Sequence, residues 1–99
     1  MRPLTLMDTA SAAQGNFSVD DKFKNAPIMR VSGLGSGETV DLQMSQDGST
    51  YADVYVSGTQ VQLTSTNNSI PIDQVGLYRA KKGVTTGAVL VTLHYGEGI

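Results

Sequence analysis

The sequence predicts an all-β protein, a single antiparallel β-sandwich or small barrel of about seven strands. The first observation is strict alternation, because Val40, Leu42 and Met44 are separated by single polar residues, the period-two pattern of a half-buried strand. The second is turn chemistry such as Asp47-Gly48, which recurs at roughly 8–12-residue intervals as expected for a sandwich. No helical periodicity competes, and ninety-nine residues correspond to one domain.

The first part of the chain is predicted to differ from the rest. Residues 1–25 have weak periodicity and many small polar side chains. We interpret them as an extended N-terminal arm that is ordered mainly by what it packs against. Residues 26–99 are predicted to form the β-sandwich domain and to fold without the arm.

Regular strands are predicted from residue 26 onward. The expected strands are residues 27–32, 38–45, 50–56, 59–64, 69–73, 75–82 and 88–95. Asp47-Gly48 joins the second and third as a hairpin, since Gly accepts the positive φ of primed turns. In the last strand the predicted inward-facing residues are Val89, Val91, Leu93 and Tyr95.

Composition narrows the choice of partners. The formal charge is −2 and the pI is near 5.0, and the basic residues cluster only at Lys22/Lys24 and at 79–82. Nucleic-acid-binding domains usually carry a broad basic face, so no nucleic-acid partner is expected. No stretch approaches the ~18 apolar residues of a membrane helix, so no membrane partner is expected either.

Few side chains could carry out chemistry. Cysteine is absent, which excludes disulfides, zinc–thiolate sites and thiol nucleophiles. His94 is the single histidine, predicted to be solvated or at an interface rather than a general base. Asp47 is predicted to bond the turn backbone just downstream, which argues against its use in an acid pair or a calcium loop. We therefore expect no enzymatic activity, no cofactor and no metal.

The tyrosines are the remaining candidates for binding. Tyr51 and Tyr55 share one face of their predicted strand with Asp53, opposite Val54. Either the smaller apolar residues face the core and the tyrosines face solvent, or the reverse holds. Tyr78 is predicted to bond backbone across a corner of the sandwich.

Four segments between Val31 and Leu93 carry a family resemblance: VSGLGSGETVDLQMSQDGSTYADV, GTQVQLT, IPID-x-x-GLYRAKKG and TTGAVLVTL. They resemble small all-β virion structural proteins of tailed bacteriophages, the capsid decoration or cement proteins. The resemblance implies a symmetric oligomer on the capsid surface, made in the host cytoplasm, that clamps neighbouring capsid subunits. No catalytic residues carry over.

The sequence therefore leaves two alternative functions. In the first, the protein decorates a phage shell, with the major capsid protein as partner and a homo-oligomer, preferably a trimer, as its assembly. The alternative is a carbohydrate-binding or tail-associated adhesion module, which requires a row of exposed aromatic rings. The expected partner-binding residues are Leu4, Leu6, Met7 and Phe17 in the arm, together with Tyr51 and Tyr55.

Overall fold

A computed structural model describes residues 4–19, 25–72 and 74–96, and all regular structure within them is β-strand. The strands are β1 (Leu4–Thr9), β2 (Ala13–Val19), β3 (Asn25–Ser32), β4 (Val40–Ser45), β5 (Tyr51–Asp53), β6 (Tyr55–Val56), β7 (Thr59–Gln60), β8 (Gln62–Leu63), β9 (Ser69–Pro71), β10 (Gly76–Lys82) and β11 (Val89–Gly96). The predicted all-β fold class is confirmed.

Two antiparallel sheets form the body of the protein. The first sheet has the order β1-β11-β3-β9, and the second has the order β2-β10-β4-β5, with β8 also pairing with β4. The chain passes between the sheets after β1, β2, β3, β8, β9 and β10. Inward side chains of both sheets meet in one hydrophobic core, which is the arrangement of a sandwich.

Alternation places the core where the sequence predicts it. Val89, Val91 and Leu93 are fully buried on β11, and Val40 and Leu42 are buried on β4. In the second sheet the ring of Tyr78 stacks on Phe17, with centroids 5.5 Å apart. The hydroxyl of Tyr78 donates to the carbonyl oxygen of Gln74 at 2.9 Å, which confirms the predicted bond to backbone.

Residues 4–19 differ from the predicted arm. β1 pairs with β11 and β2 pairs with β10, so each is an edge strand of one sheet. The two strands also approach each other so closely that a Cβ added to Gly15 would overlap the carbonyl oxygen of Leu6. The described part of the presumed arm is therefore integral to the sandwich; residues 1–3 and 20–24 lie outside the described residues.

The predicted strand of residues 50–56 is interrupted. The N–H of Val54 donates to Leu42 and the N–H of Val61 donates to Val54, and the chain then leaves the sheet. β6 and β7 form a small separate hairpin in which Ser57 and Gly58 have φ values of 53° and 82°. Positive φ at both central residues defines a type I′ turn, the tightest hairpin connection.

Three connections between the sheets meet at one end of the sandwich. We call residues 10–12, 33–39 and 83–88 the closed end. The ammonium group of Lys82 donates to the carbonyl oxygens of Ser11 and Gly83 and to the hydroxyl of Thr85, at 2.7–3.0 Å. The carboxylate of Glu38 accepts from the amides of Gly35 and Thr86. These two side chains fasten the connections to one another.

The bonds to Glu38 predict an acid-sensitive closed end. The amide of Gly35, followed by the amide and hydroxyl of Thr86, holds the pKa of Glu38 below its ordinary value. A lowered folded-state pKa stabilises the protein fully above the unfolded-state pKa of about 4.3, and this stabilisation is lost as pH falls through the folded-state pKa. Glu38→Gln should therefore lose less unfolding free energy than wild type between pH 5 and pH 3.

Urea denaturation at the two pH values measures this difference. Asp8→Asn is the matched control, because Asp8 is an exposed carboxylate with no side-chain hydrogen bond among the described residues. The prediction would be contradicted if Glu38→Gln lost as much unfolding free energy between pH 5 and pH 3 as wild type does.

Candidate binding surfaces

The predicted contact residues of the first two strands differ in accessibility. Leu4 is 40% exposed, whereas Met7 and Phe17 are only 6% and 8% exposed and belong to the core. Leu6 is partly buried against that core. Met7 and Phe17 therefore serve the interior rather than a partner, because the strands that carry them are paired into the sheets.

Tyr51 belongs to a polar network on the outer face of the second sheet. The guanidinium carbon of Arg79 lies 4.4 Å from the ring centroid of Tyr51, within the range of a cation–π contact. Arg79 donates to the side-chain oxygen of Gln43 at 2.6 Å, and Gln43 donates to Asp53 at 2.8 Å. The side chains of Arg79, Gln43 and Asp53 are thus hydrogen-bonded in a chain. The guanidinium also covers one face of the tyrosine ring.

Tyr55 lies on a different surface from Tyr51. It is 60% exposed and belongs to the β6–β7 hairpin, which pairs with neither main sheet. The predicted shared face of Tyr51 and Tyr55 is not formed, because the chain bends away from the sheet at Val54. The row of aromatic rings that an adhesion module requires is therefore not built by these two residues.

Asp47 and His94, the polar side chains considered for acid–base chemistry or metal binding, form hydrogen bonds with residues close to them in the chain. The carboxylate of Asp47 accepts from the amides of Thr50 and Ser49 at 2.9 and 2.8 Å, and these bonds hold its pKa below the ordinary value. This confirms its predicted role in the turn. His94 lies 2.9 Å from the hydroxyl of Thr92 on β11. Within the described ranges, no group of three or more His, Cys, Asp or Glu side chains could hold a metal ion.

One edge of the sandwich is formed by a stretch of chain without charged side chains, although the carboxylate of Asp41 on β4 accepts from Gln62 there at 2.7 Å. We call residues 54–72 the open edge; it runs from the bend at Val54 through β6, β7, β8 and β9. None of its nineteen residues is Asp, Glu, Lys, Arg or His, although the chain contains sixteen charged residues (seven basic and nine acidic). Tyr55 and Val56 are 60% and 62% exposed there, and Val75, just beyond the edge, is 60% exposed. This edge was not predicted as a binding surface, although the uncharged run is visible in the sequence.

A groove enters the core along the open edge. It has a volume of about 220 Å³ and lies where β9 of the first sheet faces the β6–β8 segment. A second concavity of about 400 Å³ adjoins it. The linings share Val56, Val61, Ile70 and Pro71, and neither lining contains a charged residue. The open edge thus combines a protruding hairpin with an uncharged groove beside it.

Comparisons with protein-family models, with curated proteins and with solved structures find no match for this chain. In the part of the chain that the structure describes, no helix is long and apolar enough to cross a membrane. The surfaces themselves are therefore the basis for a functional proposal.

Proposed function

We propose that the protein is a non-enzymatic structural protein of a tailed-phage virion, a decoration or cement protein that binds the outer shell and bridges neighbouring capsid subunits. The open edge is the observation that carries this proposal. Depletion of charge with exposed aromatic and aliphatic side chains is typical of the centre of a protein–protein interface. The resemblance of the segments between Val31 and Leu93 to virion proteins supplies the kind of assembly.

The binding free energy expected for one contact between the open edge and the shell is small, which is typical of proteins that bind through many repeated contacts. Burying one side chain such as Tyr55 or Val56 contributes about 1.5–3 kcal/mol, and association first costs several kcal/mol in lost freedom. A single contact through this edge would therefore be modest. Repetition over many equivalent shell positions raises the overall avidity without new contacts.

Co-sedimentation with purified shells of the phage that encodes the protein tests the proposal. Wild type should bind saturably, with a stoichiometry set by the shell lattice. Val56→Asp should weaken binding about tenfold. It removes the burial of one apolar side chain, about 1.5 kcal/mol at the low end, and about 1.4 kcal/mol corresponds to one decade of affinity. Val84→Asp is the matched control: Val84 is 81% exposed, but it belongs to the closed end and lines neither groove. Absence of wild-type binding at micromolar concentrations would refute the proposal.

A further inference from the structure

We infer that the outer face of β2 and β10 is a docking surface for an extended acidic segment of a protein partner, whose carboxylates bind to Arg79 and Lys81. We call this surface the donor face; its residues alternate with the buried ones along the two strands and are Gln14, Asn16, Ser18, Leu77, Arg79 and Lys81. The inference does not rest on the proposed function, because none of these residues belongs to the open edge.

Arg79 is held in one orientation while part of its guanidinium stays available. Its Nε–H donates to the side-chain oxygen of Gln43 at 2.6 Å, and its guanidinium carbon lies 4.4 Å from the ring centroid of Tyr51. Among the described residues, the two terminal nitrogens of Arg79 have no hydrogen-bond or ion-pair partner. These nitrogens match the two oxygens of a carboxylate. Because the group is already oriented, less entropy is lost when a carboxylate binds.

The charges of the donor face favour a negatively charged partner. Lys81 is exposed two positions beyond Arg79 on β10, so both cations lie on the same side of the strand, about 7 Å apart. The donor face contains no acidic residue, although the chain has a net charge of −2. The carboxylates of Asp41 and Asp53, on β4 and β5, each accept from a glutamine instead of pairing with these cations.

The neighbouring strand supplies further hydrogen-bond donors. In the register of β2 with β10, Asn16 lies opposite Arg79 and Gln14 lies opposite Lys81. Side chains in such positions are about 5 Å apart at Cβ. Both amide side chains are exposed, and neither bonds another side chain in the described ranges. Each cation therefore has an amide NH₂ group beside it that can donate to a bound carboxylate.

The spacing of the cations selects the kind of partner. Acidic residues at alternate positions of an extended segment lie on one side, about 7 Å apart, which matches Arg79 and Lys81. A nucleic acid requires a broad basic surface. Two cations flanked by the carboxylates of Asp41 and Asp53 do not form such a surface. An acidic protein segment needs only one donor group for each carboxylate.

NMR titration of the full chain with the peptide acetyl-Thr-Glu-Val-Glu-Thr-amide tests the inference. The Nε–H of Arg79 and the backbone amides of β2 and β10 should shift saturably, with a dissociation constant on the order of 1 mM. Added salt should weaken the binding, because the charges are solvent-accessible. The same peptide with glutamine in place of both glutamates should produce no shift.

Two variants separate recognition by the guanidinium from the effect of charge. Arg79→Lys keeps the positive charge but removes the planar pair of terminal nitrogens, so it should weaken binding about tenfold. Arg30→Gln is the matched control, because Arg30 is exposed on β3 in the other sheet and its loss should leave the affinity unchanged. Circular dichroism confirms that each variant keeps its β-structure.

The absence of a saturable shift at about 10 mM peptide would overturn the inference. Equal affinities of wild type and folded Arg79→Lys would overturn it too, as would equal weakening by Arg30→Gln. Tighter binding of an oligothymidylate than of the peptide would assign the donor face to a polyphosphate instead. Co-sedimentation with shells is a separate measurement, so a chain that binds the peptide but no shells refutes only the proposed function.

Discussion

Removing residues 1–25 is expected to unfold the protein rather than to release a folded core. The deletion takes away β1 and β2, and with them one edge of each sheet. Met7, Phe17 and Val19 leave the core. Truncating a buried Phe costs about 3–5 kcal/mol and a buried Met about 2–5 kcal/mol. Two such losses approach the whole stability of an ordinary domain, about 5–15 kcal/mol.

The closed end would also lose its partners. Lys82 donates to Ser11, and the amide of Thr85 donates to Ala10 at 2.9 Å. Circular dichroism and thermal denaturation of residues 26–99 measure the result, and neither β-signal nor cooperative transition should remain. Leu4→Ser in the full chain is the matched control, because Leu4 is 40% exposed and the change should leave a cooperative fold. A truncated chain with a sharp transition would restore the interpretation of residues 1–25 as an arm.

The central strands were predictable because local pattern and long-range pairing agree there. β4, β10 and β11 have partners on both sides, and burial alternates along β10, although Gln43 and Ser45 on the outer face of β4 are buried as well. Val89, Val91 and Leu93 are fully buried as the pattern predicts. The turn after β4 was predictable too, because the bonds of Asp47 reach only two and three residues along the chain.

The first two strands were not predictable from local pattern. A register shift between Thr5 and Met7 interrupts the alternation of β1. Gly15 occupies the middle of β2 with no side chain, where Leu6 approaches. Phe17 finds its aromatic partner, Tyr78, far along the sequence. Such isolated apolar residues resemble docking side chains until the pairing of β2 with β10 is known.

The binding surfaces were predictable only in part. The uncharged run of residues 54–72 is present in the sequence, but the bend at Val54 depends on its hydrogen bonds to Leu42 and Val61. That bend separates Tyr55 from Tyr51. The contact of Arg79 with Tyr51 likewise depends on the register of β4 with both β5 and β10, which no local pattern encodes.

Lys82→Met is expected to lower the free energy of unfolding by about 3 kcal/mol. Lys82 is only 4% exposed, and its ammonium group donates to Ser11, Gly83 and Thr85. Methionine keeps the length of the apolar stem but donates nothing, so the acceptors are left in a poorly solvated place at about 1–3 kcal/mol each. Lys81→Met is the matched control, because Lys81 is exposed on the next position of β10 and surface changes usually stay within about 0.5 kcal/mol. Urea denaturation at pH 7 measures both variants.

The pKa of Glu38 distinguishes two effects of Lys82→Met at the closed end, the loss of hydrogen bonds and the loss of a positive charge. The amides of Gly35 and Thr86 are the main causes of the lowered pKa of Glu38, and the positive charge of Lys82 is the smallest. Lys82→Met should therefore raise the pKa of Glu38 only slightly while it reduces stability strongly. Carbon-13 NMR titration of the Glu38 carboxylate measures the pKa. If that pKa returned to its ordinary value, the contacts with Gly35 and Thr86 would have separated along with those of Lys82, and the ammonium group would hold the whole end together. A small change would mean that Glu38 fastens residues 33–39 to the loop after β10 independently, while Lys82 fastens residues 10–12.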